Sequence, residues 1–368
     1  MSMNRKNLDS EDTKWELQEF VSGWYEIPAA MTDRRRINGP PGGSSPVIFA
    51  SSLGIGGRSV KRPSRIRPPD ELRKIFLKTG LTPLASGSAY LELSPSANTG
   101  ETCDSLAPSS SALKLTCAVH GPRPLPRSAP FTPQIQLSTH IKFASFAARQ
   151  RRGYIRDASE RDLAVHLETA LRGVIIGNRW PKSSVEVVIT VLEGEEDRWW
   201  GDETGGGTTG GSAGGWGMMN VLAGCITVAS AAIADAGIDC LDLVSGGVAA
   251  IVKTPQSQHE APDRDTDMGE IGKNGRLQLV IDPAPSEHQE IYAACVVGYL
   301  STRDEITELW LKGNIPGTTS FSTPMQMAEV GGLLDKAVEA AVAVRLVLGE
   351  AVREAAELKA GQNRNNKE

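Results

Sequence analysis

Apolar positions recur with two different periods along the chain, and the changes of period divide it into elements. GSAYLEL (87–93) and LKLTCAV (113–119) are β-rich runs separated by a Ser/Pro/Asn/Gly stretch, the pattern of a hairpin with a lengthened loop. IQLSTHIKF (135–143) puts Ile135, Leu137, Ile141 and Phe143 on one face, the period of two expected of a half-buried strand. Helical spacing follows at 160–176, where Leu163, Leu167, Ala170, Leu171 and Val174 share one face and Ser159 is placed to cap the start. Val185, Val187, Ile189 and Val191 then alternate in a further strand. Residues 218–238, rich in small apolar side chains, predict a buried helix ending at Gly237. Strands are expected at 242–252, 276–282, 292–300 and 305–313, and a long helix at roughly 322–360. DELRKIFLKTG (70–80) is read as the lead-in to the first strand. The order β-β-β-α-β-α-β-β-β-β-α predicts an α+β domain, with helices layered on one sheet face.

Composition adds the segments between these elements. The chain has 368 residues, with 38 Gly, 22 Pro and only 5% aromatics. Much of the Gly and Pro falls in residues 31–69 and in inserts near 94–112, 193–217 and 254–274. These stretches carry too little apolar surface to offset the entropy of ordering them, and are read as disordered. Residues 1–69 are therefore expected to be a disordered arm, basic in its second half. Residues 70–360 are read as one domain, and 361–368 as a polar tail. The net charge of −5 hides this asymmetry, since residues 31–74 hold ten Lys/Arg against three acids. No run of 18 apolar residues and no signal-like N-terminus is present, which excludes the membrane-spanning and exported classes and predicts a soluble intracellular protein. The five cysteines, Cys103, Cys117, Cys225, Cys240 and Cys295, are widely spaced and read as reduced thiols rather than zinc ligands.

Candidate chemistry is sparse. Gly205, Gly207 and Gly210 satisfy G-x-G-x-x-G, with Asp235 further on. The turn is too long and the preceding EGEEDRWWGDE too acidic for a pyrophosphate, so the run is read as a solvated surface loop. Ser245-Gly246-Gly247 is not a nucleophile elbow. His120 and His166 have no acid partner evident in the sequence, and both are read as structural. Asp282, Glu287 and Glu290 could assist phosphoryl transfer, but IDPAPSEHQE reads as an exposed loop of solvated acids. Arg149, Arg151, Arg152 and Arg156, with Arg161, lie between a strand and a helix N-terminus, beside Phe143, Phe146 and Tyr154. Arginines at such a place suit phosphate, and backbone N–H groups at the helix start would add to that attraction. Composition leaves nucleic-acid contact by the first four and an ordinary solvated loop both open.

Several segments taken together resemble the RNase PH family. PPDELRKIFLKTGLTPLASGSAYLEL followed by LKLTCAVHGPR is similar to that family's opening hairpin, and ADAGIDCLDLVSG to its helix-to-strand junction. SERDLAVHLETALRGVI, NRWPKSSVEVVITVLE and CITVASAAIADAGI resemble, within the family, a ring subunit of the RNA exosome, above all in its fungal forms. MTDRRRINGPP resembles the start of such members, which implies Met31 as the initiator. The resemblance implies a hetero-hexameric ring of RNase PH-like subunits that passes single-stranded RNA to an associated nuclease. It also implies cap subunits with RNA-binding domains, and residence in nucleus, nucleolus and cytoplasm. Catalytic members carry an acidic pattern whose counterparts here are Asp282, Glu287, His288 and Ala294, so two aspartates are replaced. Their phosphate cradle corresponds to Gly217-Met218-Met219-Asn220. A non-catalytic structural subunit supporting 3′–5′ RNA processing is therefore expected, without cofactor or metal. The alternative is an active phosphate-dependent exoribonuclease.

Overall fold

The computed structural model describes residues 65–94, 112–148, 151–196, 215–254, 276–288, 290–313 and 324–365. Two sheets form. The first has strand order β1 (Ile75–Thr79), β2 (Gly87–Leu93), β3 (Leu113–Pro124), β5 (Ser183–Glu193), β4 (Gln136–Phe143). Its pairs are antiparallel except β4 with β5, which run parallel across the crossover helix α1 (Ala158–Arg172). The second sheet is antiparallel throughout, with order β7 (Arg276–Ile281), β6 (Val244–Thr254), β8 (Ile291–Leu300), β9 (Glu305–Gly313). Two further helices, α2 (Gly217–Asp235) and α3 (Pro324–Asn365), and a short 3₁₀ helix (Gly177–Arg179) complete the elements among the described residues.

The alternating strands bury the side chains their period selects. Leu113, Leu115, Cys117 and Val119 of β3 and Val185, Val187, Ile189 and Val191 of β5 are all fully buried. Helix α2 lies between the sheets, against β2 and β3 on one side and β6 and β8 on the other. That placement explains why it is apolar all round rather than striped. Among the described residues it is the one helix long and apolar enough to cross a membrane, and 94% of that stretch is buried inside the fold. Helix α3 covers the outer face of β6 and β8, where Leu333, Ala337 and Ala341 meet Ala249, Cys295 and Val297 in a second core.

Helices thus lie on both faces of the second sheet, not on one as expected. The Gly246-Gly247 pair in β6 permits this. A Cβ on Gly246 would sit 2.3 Å from the Ala223 carbonyl oxygen of α2, and one on Gly247 2.1 Å from that of Ala337 in α3. Ser245 Oγ donates to Ala341 O at 2.8 Å, and Gly246 N to Thr227 Oγ1 at 3.0 Å. The Ser-Gly-Gly run is a site of close helix–sheet approach.

Other expectations need correction. IFLKT is a strand in its own right, paired antiparallel with β2. Ordered chain begins before Asp70, because Arg65 and Arg67 are already engaged with the domain. The cap of α1 is Asp157, not Ser159, and it forms a reciprocal box with Glu160. Gly205, Gly207 and Gly210 lie outside the described residues. Asp235 accepts from Ser88 N at 3.0 Å and from Lys359 Nζ at 2.6 Å, a joint between elements. Cys117, Cys225, Cys240 and Cys295 are free thiols, and burial raises the pKa of each above that of an ordinary thiol. Cys103 lies outside the described residues.

Candidate functional site

The acids expected to be solvated are instead the centre of a buried ion network. At the end of β7 the chain turns at Asp282, whose φ of +50° tips its carboxylate inward. Arg73 donates to it three times, from its backbone N and Nε to Oδ2, each at 2.9 Å, and from Nη2 to Oδ1 at 2.7 Å. The same guanidinium reaches Glu195 Oε1 at 2.7 Å from Nη1. Arg67 bridges Asp282 at 3.3 Å and Glu287 at 3.2 Å. Arg65 donates to the carbonyls of Arg67, Pro68, Pro69, Glu71 and Asp282, which folds residues 65–73 into a strap across the 281–287 turn. Asn220, at the expected phosphate cradle, donates to Glu195 and to Pro283 O.

Arg67 and Arg73 therefore pair with three carboxylates inside the fold, while Arg65 ties the strap to the turn through carbonyl oxygens. Burial opposes the charged form of Asp282, but Arg73 and Arg67 overcome it and hold that carboxyl well below the usual carboxylate range. Burial lowers Arg65 to about 10, helped by Arg67. Glu195, counted within the solvated 193–217 insert by sequence, is 9% exposed and belongs to this network. Glu290 alone of the weighed acids remains exposed, paired with Lys253 at 3.1 Å. His288 is half-buried in the same turn, and Ala294 is buried in β8 opposite Ala250. Among the described residues no group of His, Cys, Asp and Glu is arranged to hold a metal ion.

The arginine candidates sit elsewhere, on the loop between β4 and α1. Arg149 lies outside the described residues, and the structure brings Arg151, Arg152 and Arg156 into one turn. Arg151 and Arg156 are exposed. Arg152 is turned inward, its guanidinium 4.0 Å above the Phe143 ring and 3.9 Å from Asp157. Arg156 contacts the His140 ring at 3.0 Å. Lys142 organises the loop by donating from Nζ to the carbonyls of Gly153 and Ile155, each at 3.3 Å, and to Glu160 at 3.0 Å. At the α1 start the Asp157 side chain accepts from the Glu160 N–H, and Asp157 N donates to Glu160 Oε2 at 3.2 Å.

Outside both sites, His166 does have an acid partner. Its Nδ1 lies 2.7 Å from Glu308 Oε1, and its ring stacks on Trp310. The contact joins α1 to β9, and no sequence signal marks it because 142 residues separate the partners. His120, in β3, contacts Arg123 at 3.4 Å.

Comparison with known proteins gives a consistent set of matches. The model of the 3′ exoribonuclease family, domain 1 (RNase PH), matches residues 71–239. The chain is 49% identical over 328 residues to the exosome complex component MTR3 of Chaetomium thermophilum, covering 88% of this chain and 99% of that protein. It is 26% identical over 323 residues to that of Schizosaccharomyces pombe, covering 88% and 96% of the two chains. The human protein of the same name is 30% identical over 226 residues, 58% of this chain and 66% of that one. Rice (Oryza sativa) Rrp46 shares the fold, with a TM-score of 0.52 over 78% of this chain and 98% of that one at 14% identity.

Proposed function

The chain belongs to the RNase PH family of 3′ exoribonucleases, and from that membership we propose that it is a non-catalytic structural subunit of an RNA exosome core ring. The observation that carries this reading is the ion network. Metal-assisted or acid-assisted departure of a leaving oxygen needs a carboxylate free to bind a cation or exchange a proton. Asp282, Glu287 and Glu195 are each committed to Arg67 or Arg73 inside the fold. Positions 288 and 294, where the family resemblance expects acids, hold His288 and Ala294.

A ring subunit also needs edges that accept neighbours. Strand β9 is an open edge of the second sheet, and Leu309 and Leu311 on it are exposed while Glu308 and Trp310 face inward. Strand β8 is core, and β9 offers the surface. Other RNase PH-like subunits are the partners on this reading, with cap subunits and a separate nuclease completing the assembly in nucleus, nucleolus and cytoplasm. Arg149, Arg151, Arg152 and Arg156 contact RNA phosphates in the channel, Arg152 chiefly by holding the loop.

Two measurements test the proposal. The purified chain and the assembled ring, given RNA and inorganic phosphate, are expected to release no nucleoside diphosphate attributable to this subunit. Nucleoside diphosphate release by the purified chain would make it an enzyme. Charge reversal of the four arginines in the assembled ring should weaken RNA binding in a salt-dependent, sequence-independent manner. Unchanged affinity would remove them from the RNA path.

A further inference from the structure

We propose that Tyr154 is a stacking platform for an unpaired nucleobase, presented on a pre-formed turn between Arg151 and Arg156. The inference rests on the RNA-channel reading and adds to it a contact with the base rather than the phosphate. Tyr154 is 94% exposed, and Phe146 in the same loop is 75% exposed. A lone exposed aromatic on a loose loop would mean little. Here the backbone on either side is held, because the Lys142 ammonium binds the carbonyls of Gly153 and Ile155. That ammonium is itself fixed by the fully buried Glu160, which also accepts from Phe143 N at 3.0 Å. Three groups of the domain are thus spent on presenting one ring to solvent. A ring held this way loses little freedom when it meets a ligand.

The surroundings select the ligand. Arg151 and Arg156 in the same loop and Arg161 in the first turns of α1 are exposed, and the acids within the turn are engaged, Asp157 with Arg152 and Glu160 with Lys142. An apolar protein partner that covered the ring would have to desolvate these cations without pairing them. Single-stranded nucleic acid supplies both complements, a π-face for the phenol and phosphates for the guanidinium groups. The loop leaves the carboxyl end of β4, the strand parallel to β5.

The test uses the assembled complex with a single-stranded oligoadenylate and an abasic strand of equal length. Tyr154→Ala should weaken oligoadenylate binding about tenfold, with the salt slope unchanged, and leave the abasic strand's affinity as it was. Tyr154→Phe should retain binding. Tyr154→Trp provides a local reporter whose emission should be quenched by oligoadenylate and not by the abasic strand. Failure of wild-type complex to bind either strand would overturn the RNA-channel reading itself. Normal binding with no effect of Tyr154→Ala and no quenching would overturn the platform alone. So would an equal loss on both strands, or loss of a protein subunit in place of RNA.

Discussion

At Asp282 the chain places a carboxylate under Arg73, a residue only 4% exposed, and adds Arg67 above it. Removing the negative charge leaves a guanidinium buried beside one remaining acid. Asp282→Asn is therefore expected to cost about 3–5 kcal/mol, measured by denaturant unfolding. Asp282 titrates lower in the folded state than in the unfolded chain, so its contribution is complete above the unfolded value. It declines as pH falls toward the folded one. Stability should begin to fall below about pH 4 in the wild type, with that part of the slope missing in Asp282→Asn. A slope identical in both proteins would show that other carboxylates govern acid unfolding. Nothing local announces this network. IDPAPSEHQE looks like a solvated turn because its partners lie 209 and 215 residues away, in a segment whose Arg-Pro composition suggests a free arm.

Among the elements, periodicity was a sound guide wherever one face meets the core. Strands β4 and β5 and helix α1 follow from their own spacing, and β3 and α2 from their composition. Strand β1 escapes that logic because it is five residues long, follows a charged stretch, and owes its conformation to pairing with β2. Strand β6 shows a different limit, since two adjacent glycines weaken any strand taken alone. Their reason appears only when α2 and α3 are seen closing on opposite faces. Gly247→Ala should force β6 and α3 apart and cost about 1–3 kcal/mol or more. Gly331→Ala in α3, where nothing lies within 4 Å of the added methyl, is the control. Equal melting temperatures for the two variants would contradict the close-packing account.

For the molecule as a subunit, the exposed apolar edge matters more than the core. Leu309 is 52% exposed on β9, so replacing it has little effect inside the isolated chain. Leu309→Asp should change stability by no more than about 0.5 kcal/mol. It should nonetheless abolish co-purification with neighbouring ring subunits, because a charge on an open edge blocks strand-to-strand or face contacts. Intact assembly in that variant would move the interface to another edge.

The strap formed by residues 65–73 has a consequence for how the protein is made. Arg73 is synthesised 209 residues before Asp282. At a ribosomal pace of about 5–20 residues per second, Arg73 waits about 10–40 seconds before that carboxylate exists. During that interval the first sheet can pair, but its leading strand cannot be locked to the second. Glu195 reaches the chain first and can meet Arg73 alone, whereas Arg67 has neither of its acids until Asp282 and Glu287 are made.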